Sequence, residues 1–185
     1  ALTNNDILAA NYPFATIEPN TGIVPVPDER LEVLAKLYGS EKILPATVTF
    51  VDIAGLVAGA SKGEGLGNKF LANIRQCDAI VHVVRAFENT AILRHDEAPV
   101  NPKADIEIIN TELILADIQT IENRLPRLQK EAKARPAARE EVAYLQNLLE
   151  QLQSGTPLSS IADLNTELIQ DLHLLTAKPV IYAFN

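Results

Sequence analysis

Residues 47–85, TVTFVDIAGLVAGASKGEGLGNKFLANIRQCDAIVHVVR, decide how the chain is read. An apolar run that ends in an acid (Val48, Phe50, Val51, Asp52) predicts a buried strand, and Ile53-Ala54-Gly55 follows as a tight turn at its carboxyl end. That end is where doubly wound sheets keep their ligands. Asp52-x-x-Gly55 suits phosphate chemistry. The carboxylate can hold a magnesium ion, commonly through water, and the glycine amide can approach a terminal phosphate with no side chain in the way. The same spacing also serves as an ordinary strand-to-loop turn, so on its own it leaves both uses open.

The following residues bear on that choice. Leu56-Val57-x-Gly59-Ala60-Ser61-x-Gly63-x-Gly65-Leu66-Gly67-x-x-Phe70-Leu71 places four glycines within residues 59–67, a composition that needs a phosphate to give it one structure. The run Gly63-Glu64-Gly65-Leu66-Gly67-Asn68-Lys69 has neither G-x-G-x-x-G spacing nor the G-x-x-x-x-G-K-[ST] of a phosphate loop, so it is not a phosphate cradle of its own. The whole signature resembles switch II of the Obg family of P-loop nucleotide hydrolases.

Upstream, Asn11-Tyr12-Pro13-Phe14-Ala15-Thr16-Ile17-Glu18-Pro19-Asn20-Thr21-Gly22 is denied regular structure by its prolines and glycine. It is similar to switch I of the same family and, more narrowly, of its YchF subfamily, the Obg-like ATPases. Residues 22–27 read as an edge strand, because Pro25 and Pro27 lack a ladder donor, and the expected partner is the antiparallel strand 47–52. Between them, residues 28–38 have helical spacing at Leu31, Leu34, Ala35 and Tyr38, with Asp28 as N-cap and Gly39 just past the end.

Downstream, residues 69–76 predict a helix with Phe70, Leu71 and Ile74 facing a sheet. Residues 79–84 predict a central parallel strand, apolar on both faces, in which His82 is a core histidine. A polar loop over 87–105 carries His95, and Asp105 is expected to N-cap a long helix. Ile114, Ile118, Ile121, Leu125 and Leu128 recur at intervals of 4, 3, 4 and 3, and Ala138, Val142, Leu145, Leu149 and Leu152 repeat the rhythm past Pro136. Two such stripes joined by a short polar turn predict an antiparallel coiled-coil hairpin, with Pro126 kinking or loosening its first arm. The tip carries Arg124, Arg127, Lys130, Lys133, Arg135 and Arg139, opposed by Glu131 and Glu140. A solvated helix face accounts for such charge, and so does a polyanion site centred on Arg127, Lys130, Lys133 and Arg135. Ser154-Gly155-Thr156-Pro157 ends the second arm, a short helix is expected over 165–172, and residues 178–185 predict a last buried strand.

Length and composition set bounds. At 185 residues with 47% hydrophobic content the chain can bury a sizeable core, and a formal charge of −8 argues against a surface coated in nucleic acid. Cys77 is the only cysteine, which rules out an internal disulfide and fits a reducing compartment; it reads as a small buried hydrophobe. No apolar run reaches the roughly twenty residues that span a bilayer. A cytoplasmic chain without a membrane partner is expected.

The resemblance to the YchF subfamily runs in order along nearly the whole chain. It takes in both switches, Phe87-Glu88-Asn89, Ile109-Asn110-Thr111-Glu112-Leu113, the hairpin and the Lys178-Pro179 strand. It implies an α/β P-loop fold, with a mostly parallel sheet, helices on both faces and the inserted hairpin. The implied organisation is a hydrolase domain over 1–104, the hairpin over 105–153, and a return to the first domain over 154–185. It further implies a monomer that hydrolyses ATP, or GTP, with magnesium and binds ribosomes or RNA. By the same resemblance Thr16 gives its hydroxyl to magnesium and its amide to the terminal phosphate. Asp52 holds the metal through water, Gly55 meets the phosphate, and Asn185 opens an N-x-x-E motif that reads the base. Leu56 follows the D-x-x-G directly and has no polar group, so it cannot orient water as glutamine does in many relatives. His95 is the natural substitute.

There are departures. No phosphate-loop lysine or serine and no carboxyl-terminal TGS domain occurs in these residues, and His95 lies one residue later than the family histidine counted from Phe87. The sequence is therefore expected to be an internal stretch of a longer protein. It is also expected to bind nucleotide weakly alone, and to hold the strands ending near Asp52 and Val84 about 9 to 10 Å apart, two strand spacings, around a missing one. Two alternatives stay open: a GTP-dependent ribosome timer, and a non-enzymatic scaffold whose working part is the hairpin.

Overall fold

The structure, a computed structural model, describes residues 20–53, 66–89 and 99–185, and the chain divides into two compact units, Ala1–Ala54 and Gly55–Asn185.

In the first unit, β1 (Asn20–Pro25) and β2 (Thr47–Asp52) form an antiparallel ribbon in which Asn20 lies opposite Asp52 and Pro25 opposite Thr47. The strand thus starts two residues before the expected Gly22. The expectation that the second strand is buried fails: Val48 is exposed and Phe50 and Val51 are half-buried. Among the described residues each strand has one partner, and a two-stranded ribbon cannot cover both its faces. Between the strands, α1 (Arg30–Tyr38) begins later than Asp28 as N-cap would require. The Asp28 carboxylate accepts from the Arg30 amide at 3.0 Å and grips the Arg30 guanidinium at 2.8 and 2.6 Å. Its oxygens are thus engaged one residue ahead of the cap position. The other end is as expected: Gly39 takes φ 64°, and the amides of Gly39 and Ser40 both reach the Ala35 carbonyl.

The second unit contains α2 (Leu66–Arg75), β3 (Ile80–Val84), α3 (Pro102–Glu131), α4 (Ala137–Gln153) and β4 (Val180–Phe184). The expected α2 face is buried at Leu71 and Ile74 and half-buried at Phe70. β3 and β4 pair in parallel, Ile80 opposite Val180 through Val84 opposite Phe184. Both were expected to be buried strands; instead Val83, Ile181 and Phe184 are 66%, 61% and 63% exposed. Alternation turns Val84 inward and leaves Val81 and Val83 on the exposed face.

The hairpin is the core of this unit. Ile114, Ile121, Leu125 and Leu128 of α3 meet Ala138, Leu145, Leu148 and Leu152 of α4, with Leu158, Ile169 and Leu174 closing the base. Leu148 is fully buried and the expected Leu149 is partly buried against the same core, since an apolar face of a 3.6-residue helix is wide enough to take in both. The N-cap of α3 is Asn101, whose side chain accepts from the Ala104 amide at 3.2 Å, and not Asp105. Pro102 needs no amide partner at the first helical position and so fixes the start there. Asp105 lies in the first turn, where a negative charge favours the helix dipole. α3 runs through Pro126 without breaking, at the cost of one amide bond. The short helix expected over 165–172 is instead two single 3-10 turns, Thr166–Leu168 and Gln170–Leu172, ended by His173 at φ 47°. One buried carboxylate joins α3 to the approach of β4. Asp117, with no exposed surface, accepts from the amides of Leu175 (2.8 Å) and Thr176 (2.7 Å) and from the Thr176 hydroxyl (2.7 Å).

Leu128→Ala should lower unfolding free energy by about 3 kcal/mol in urea denaturation, because it empties a fully buried site between two helices. Leu168→Ala, at a site 41% exposed, should cost less than about 1 kcal/mol.

Candidate functional site

The expected site residues fall into three groups, and Thr16, Gly55 and His95 lie outside the described residues. The first described group is the carboxyl end of β2. Asp52 is the last residue of the strand and is exposed, and its carboxylate makes no hydrogen bond or ion pair with any described residue. Its ladder partner Asn20 is only four positions along the chain from Thr16. Among the described residues no three His, Cys, Asp or Glu side chains gather as a metal-binding group. An exposed carboxylate at a strand end still suits magnesium, which keeps several waters and takes one or two protein ligands.

The second group is the carboxyl end of β3 and β4. The Asn185 amide donates to the Val84 carbonyl at 2.9 Å, and the Ala86 amide donates to the Asn185 carbonyl at 2.7 Å. This pair of bonds carries the ladder one step past the strands and holds Asn185, exposed, beside the segment that follows β3. Arg85 shapes that segment. Its Nε donates to the Phe87 carbonyl at 3.1 Å, an Nη donates to the Asn89 carbonyl at 2.9 Å, and the guanidinium lies 5.0 Å from the Phe87 ring centre. Sequence reasoning passed over Arg85; the signal available was a cation directly after an apolar strand with an aromatic two residues on.

His82 is half-buried and packs at 5.6 Å against the Tyr182 ring, whose hydroxyl accepts from Asn110 at 3.4 Å. Burial pushes its imidazole below the ordinary value, with Asp105 pulling the other way. Cys77 is half-buried, and its thiol points at the Asn73 carbonyl 3.5 Å away.

The third group is the hairpin tip. Glu131 sits between two arginines, 3.1 Å from Arg127 and 3.8 Å from Arg135. Arg124 pairs with Glu141 of the facing helix at 3.8 Å, a neutralisation that charge counting along one arm misses because it crosses the hairpin. Arg139 donates to the Ala132 carbonyl at 3.3 Å. Lys130, Lys133 and Arg139 make no ion pair with any described residue, and the two lysines are exposed to solvent.

Residues 1–112 match the model of the family described as 50S ribosome-binding GTPase, MMR_HSR1. The chain belongs to this GTPase family. It is 54% identical over its whole length to a protein named ribosome-binding ATPase YchF from Haemophilus ducreyi, 53% to that of Escherichia coli O157:H7 and 50% to that of Bacillus subtilis. It spans about half the length of these relatives, 52%, 52% and 51%. Among solved structures it is similar to the Schizosaccharomyces pombe YchF GTPase, with a TM-score of 0.72 and 43% identity over 95% of this chain and 49% of that one. The resemblance to YchF and the P-loop fold class both stand. No helix among the described residues is long and apolar enough to cross a membrane.

In this GTPase-family chain Arg85 is the residue that preorganises the ground beside Asn185. Arg85→Ala should raise amide exchange at residues 86–89 by about tenfold while α3 and α4 keep their protection, read by hydrogen exchange and mass spectrometry.

Proposed function

We propose that the chain carries the switch, hairpin and base-reading parts of a cytoplasmic, ribosome-associated nucleotide hydrolase of the YchF type, which acts as a monomer on ATP with magnesium. The observation that carries the proposal is the β1–β2 register. It pairs Asn20, four residues past Thr16, with Asp52, which supports a reading in which two motifs separated by over thirty residues serve one strand end. The relatives' names, ribosome-binding ATPase, supply the reaction class and the partner. GTP is the alternative nucleotide, favoured by the GTPase name of the fission yeast relative. The proposed organisation is a hydrolase domain over 1–104 and 154–185 with the hairpin, 105–153, inserted.

The proposed roles follow from residue chemistry. Bound magnesium would neutralise charge developing on the phosphates. The Thr16 hydroxyl and the Asp52 carboxylate, through water, would hold that ion. The Thr16 and Gly55 amides would donate to the terminal phosphate, the glycine without steric obstruction. His95 would orient the attacking water, since Leu56 has no polar group to do so. Asn185, held at the strand ends by two backbone bonds, would face the base. Lys130, Lys133 and the flanking Arg127 and Arg135 would meet ribosomal RNA phosphates.

In the intact protein, Thr16→Ala and Asp52→Asn should each lower magnesium-dependent turnover by about tenfold or more. His95→Ala should lower kcat with nucleotide affinity nearly unchanged, because a group that positions water acts in the transition state. Wild-type turnover in the first two variants would remove the site assignment, and an equal loss of affinity in the third would make His95 a ground-state contact.

Reversing the charges of Arg127, Lys130, Lys133 and Arg135 together should weaken co-sedimentation with ribosomes and flatten its dependence on salt. Nucleotide hydrolysis should change by less than about twofold. Unaltered co-sedimentation at low salt would make the tip a solvated surface only.

A further inference from the structure

We infer that Arg75, the last residue of α2, is a positioning residue that ties α2 to the base of the helical hairpin, so that a displacement arising ahead of α2 is passed to α3. The tie is geometric; its nucleotide end rests on the function proposed above, in which Gly55, ahead of α2 in the chain, meets the terminal phosphate.

The Arg75 guanidinium reaches in two directions. One nitrogen donates to the Thr120 hydroxyl of α3 at 3.0 Å and another to the His173 carbonyl at 3.3 Å. Thr120 is preset for this contact. Its hydroxyl proton goes to the Ala116 carbonyl one turn back, at 2.9 Å, which leaves a lone pair for Arg75. His173 is the one non-glycine residue with positive φ among the described residues, a conformation that costs on the order of 1 kcal/mol and persists where surrounding contacts fix it.

The two contacts are not independent anchors. Asp117 lies one turn before Thr120 on the same side of α3, and it holds the amides of Leu175 and Thr176, just beyond His173. α3 and the 173–176 segment are therefore already one piece, and Arg75 fastens α2 to that piece twice. The fastening is returned. Lys178 Nζ donates to the carbonyls of Arg75 and Cys77, at 3.2 and 2.5 Å, and so closes the end of α2. Arg75 has no acidic partner within ion-pair distance among the described residues; the buried Asp117 carboxylate supplies the charge that attracts it. Burial pushes that carboxyl up, against its three donors and Arg75, so weakening Arg75 also leaves Asp117 less compensated. Arg124, where the basic residues of the hairpin begin, is one helical turn beyond Thr120.

A shift of α2 larger than the Arg75 side chain can absorb therefore breaks the bond to Thr120 or carries α3 with it. A purely structural Arg75 would stabilise the fold without making the hairpin respond to the nucleotide. Hydrogen exchange of the intact protein, with ADP and with a non-hydrolysable ATP analogue, separates the two. In the wild type, amides of residues 113–128 should differ between the two nucleotides by about threefold or more in exchange rate. Arg75→Ala and Thr120→Val should reduce that difference to below about 1.5-fold while nucleotide affinity stays within about twofold, and Arg75→Lys should restore part of it. An undiminished difference in the variants overturns the inference, as does its absence from a wild type that binds both nucleotides. A wild type that binds neither overturns the proposed function instead. The tie is then judged without nucleotide: Arg75→Ala should raise exchange in residues 113–121 as well as in α2, and a rise confined to α2 overturns it.

Discussion

The second unit depends on how one charge is kept out of water. Asp117 has no exposed surface, and an isolated carboxylate there would cost several kcal/mol. Three donors meet it, two of them consecutive backbone amides, so the chain at Leu175 and Thr176 has essentially one way to pass α3. The Leu158 amide bonds the same Thr176 hydroxyl at 3.4 Å, and the Ser159 amide bonds its carbonyl at 2.8 Å, which brings the end of the hairpin to the same point. β4 then leaves this fixed place toward β3, and Asn185 arrives where the ladder ends. The position of the proposed base reader is thus set by an aspartate nearly seventy residues earlier in the chain.

What was legible in the sequence, and what was not, follows from the range of the forces involved. The hairpin was legible because its two stripes repeat at helical spacing, and burial of Ile121, Leu128, Leu145 and Leu152 follows from that repeat. Gly39 was legible because a left-handed residue closes a helix locally. Asp117 was not: within a helix carrying Glu112 and Glu122 it reads as one more polar position, and its donors come from residues 58 and 59 positions away. Local competition also moved the caps. Asn101 followed by Pro102 outranks Asp105, and the Asp28 carboxylate is taken up by Arg30. The burial of β2, β3 and β4 was overread, because an apolar strand announces that it can be covered and not by what.

Of the candidate site, the places of Asp52 and Asn185 along the chain were more legible than their surroundings. Asp52 and Asn185 stand at the carboxyl ends of their strands as motif spacing required. The tip charges were countable, but which of them stay available was not. Glu131 is shared between Arg127 and Arg135, and Glu141 takes Arg124 from across the hairpin, so among the described residues Lys130, Lys133 and Arg139 are the tip cations without an ion pair. Exposed pairs of this kind are worth under about 1 kcal/mol each, so a polyanion could recruit the arginines too at little expense.

Asp52 and Asp117 show how one residue type is given two tasks. Asp117 is buried and met by three donors, so its lone pairs are spent within the fold, and it can hold chain but cannot bind anything further. Asp52 is exposed and its carboxylate makes no bond with any described residue, which suits the proposed task of holding a hydrated cation. Strand geometry makes the second arrangement possible. Among the described residues nothing bonds the carboxylate, while the pairing of Asn20 with Asp52 fixes where its backbone stands. A carboxylate further back along β2 would have lost either that freedom or that fixed position, and a residue past the strand end would have lost the second. The end of the ladder gives both, which is the physical reason it suits the metal-holding acid proposed above.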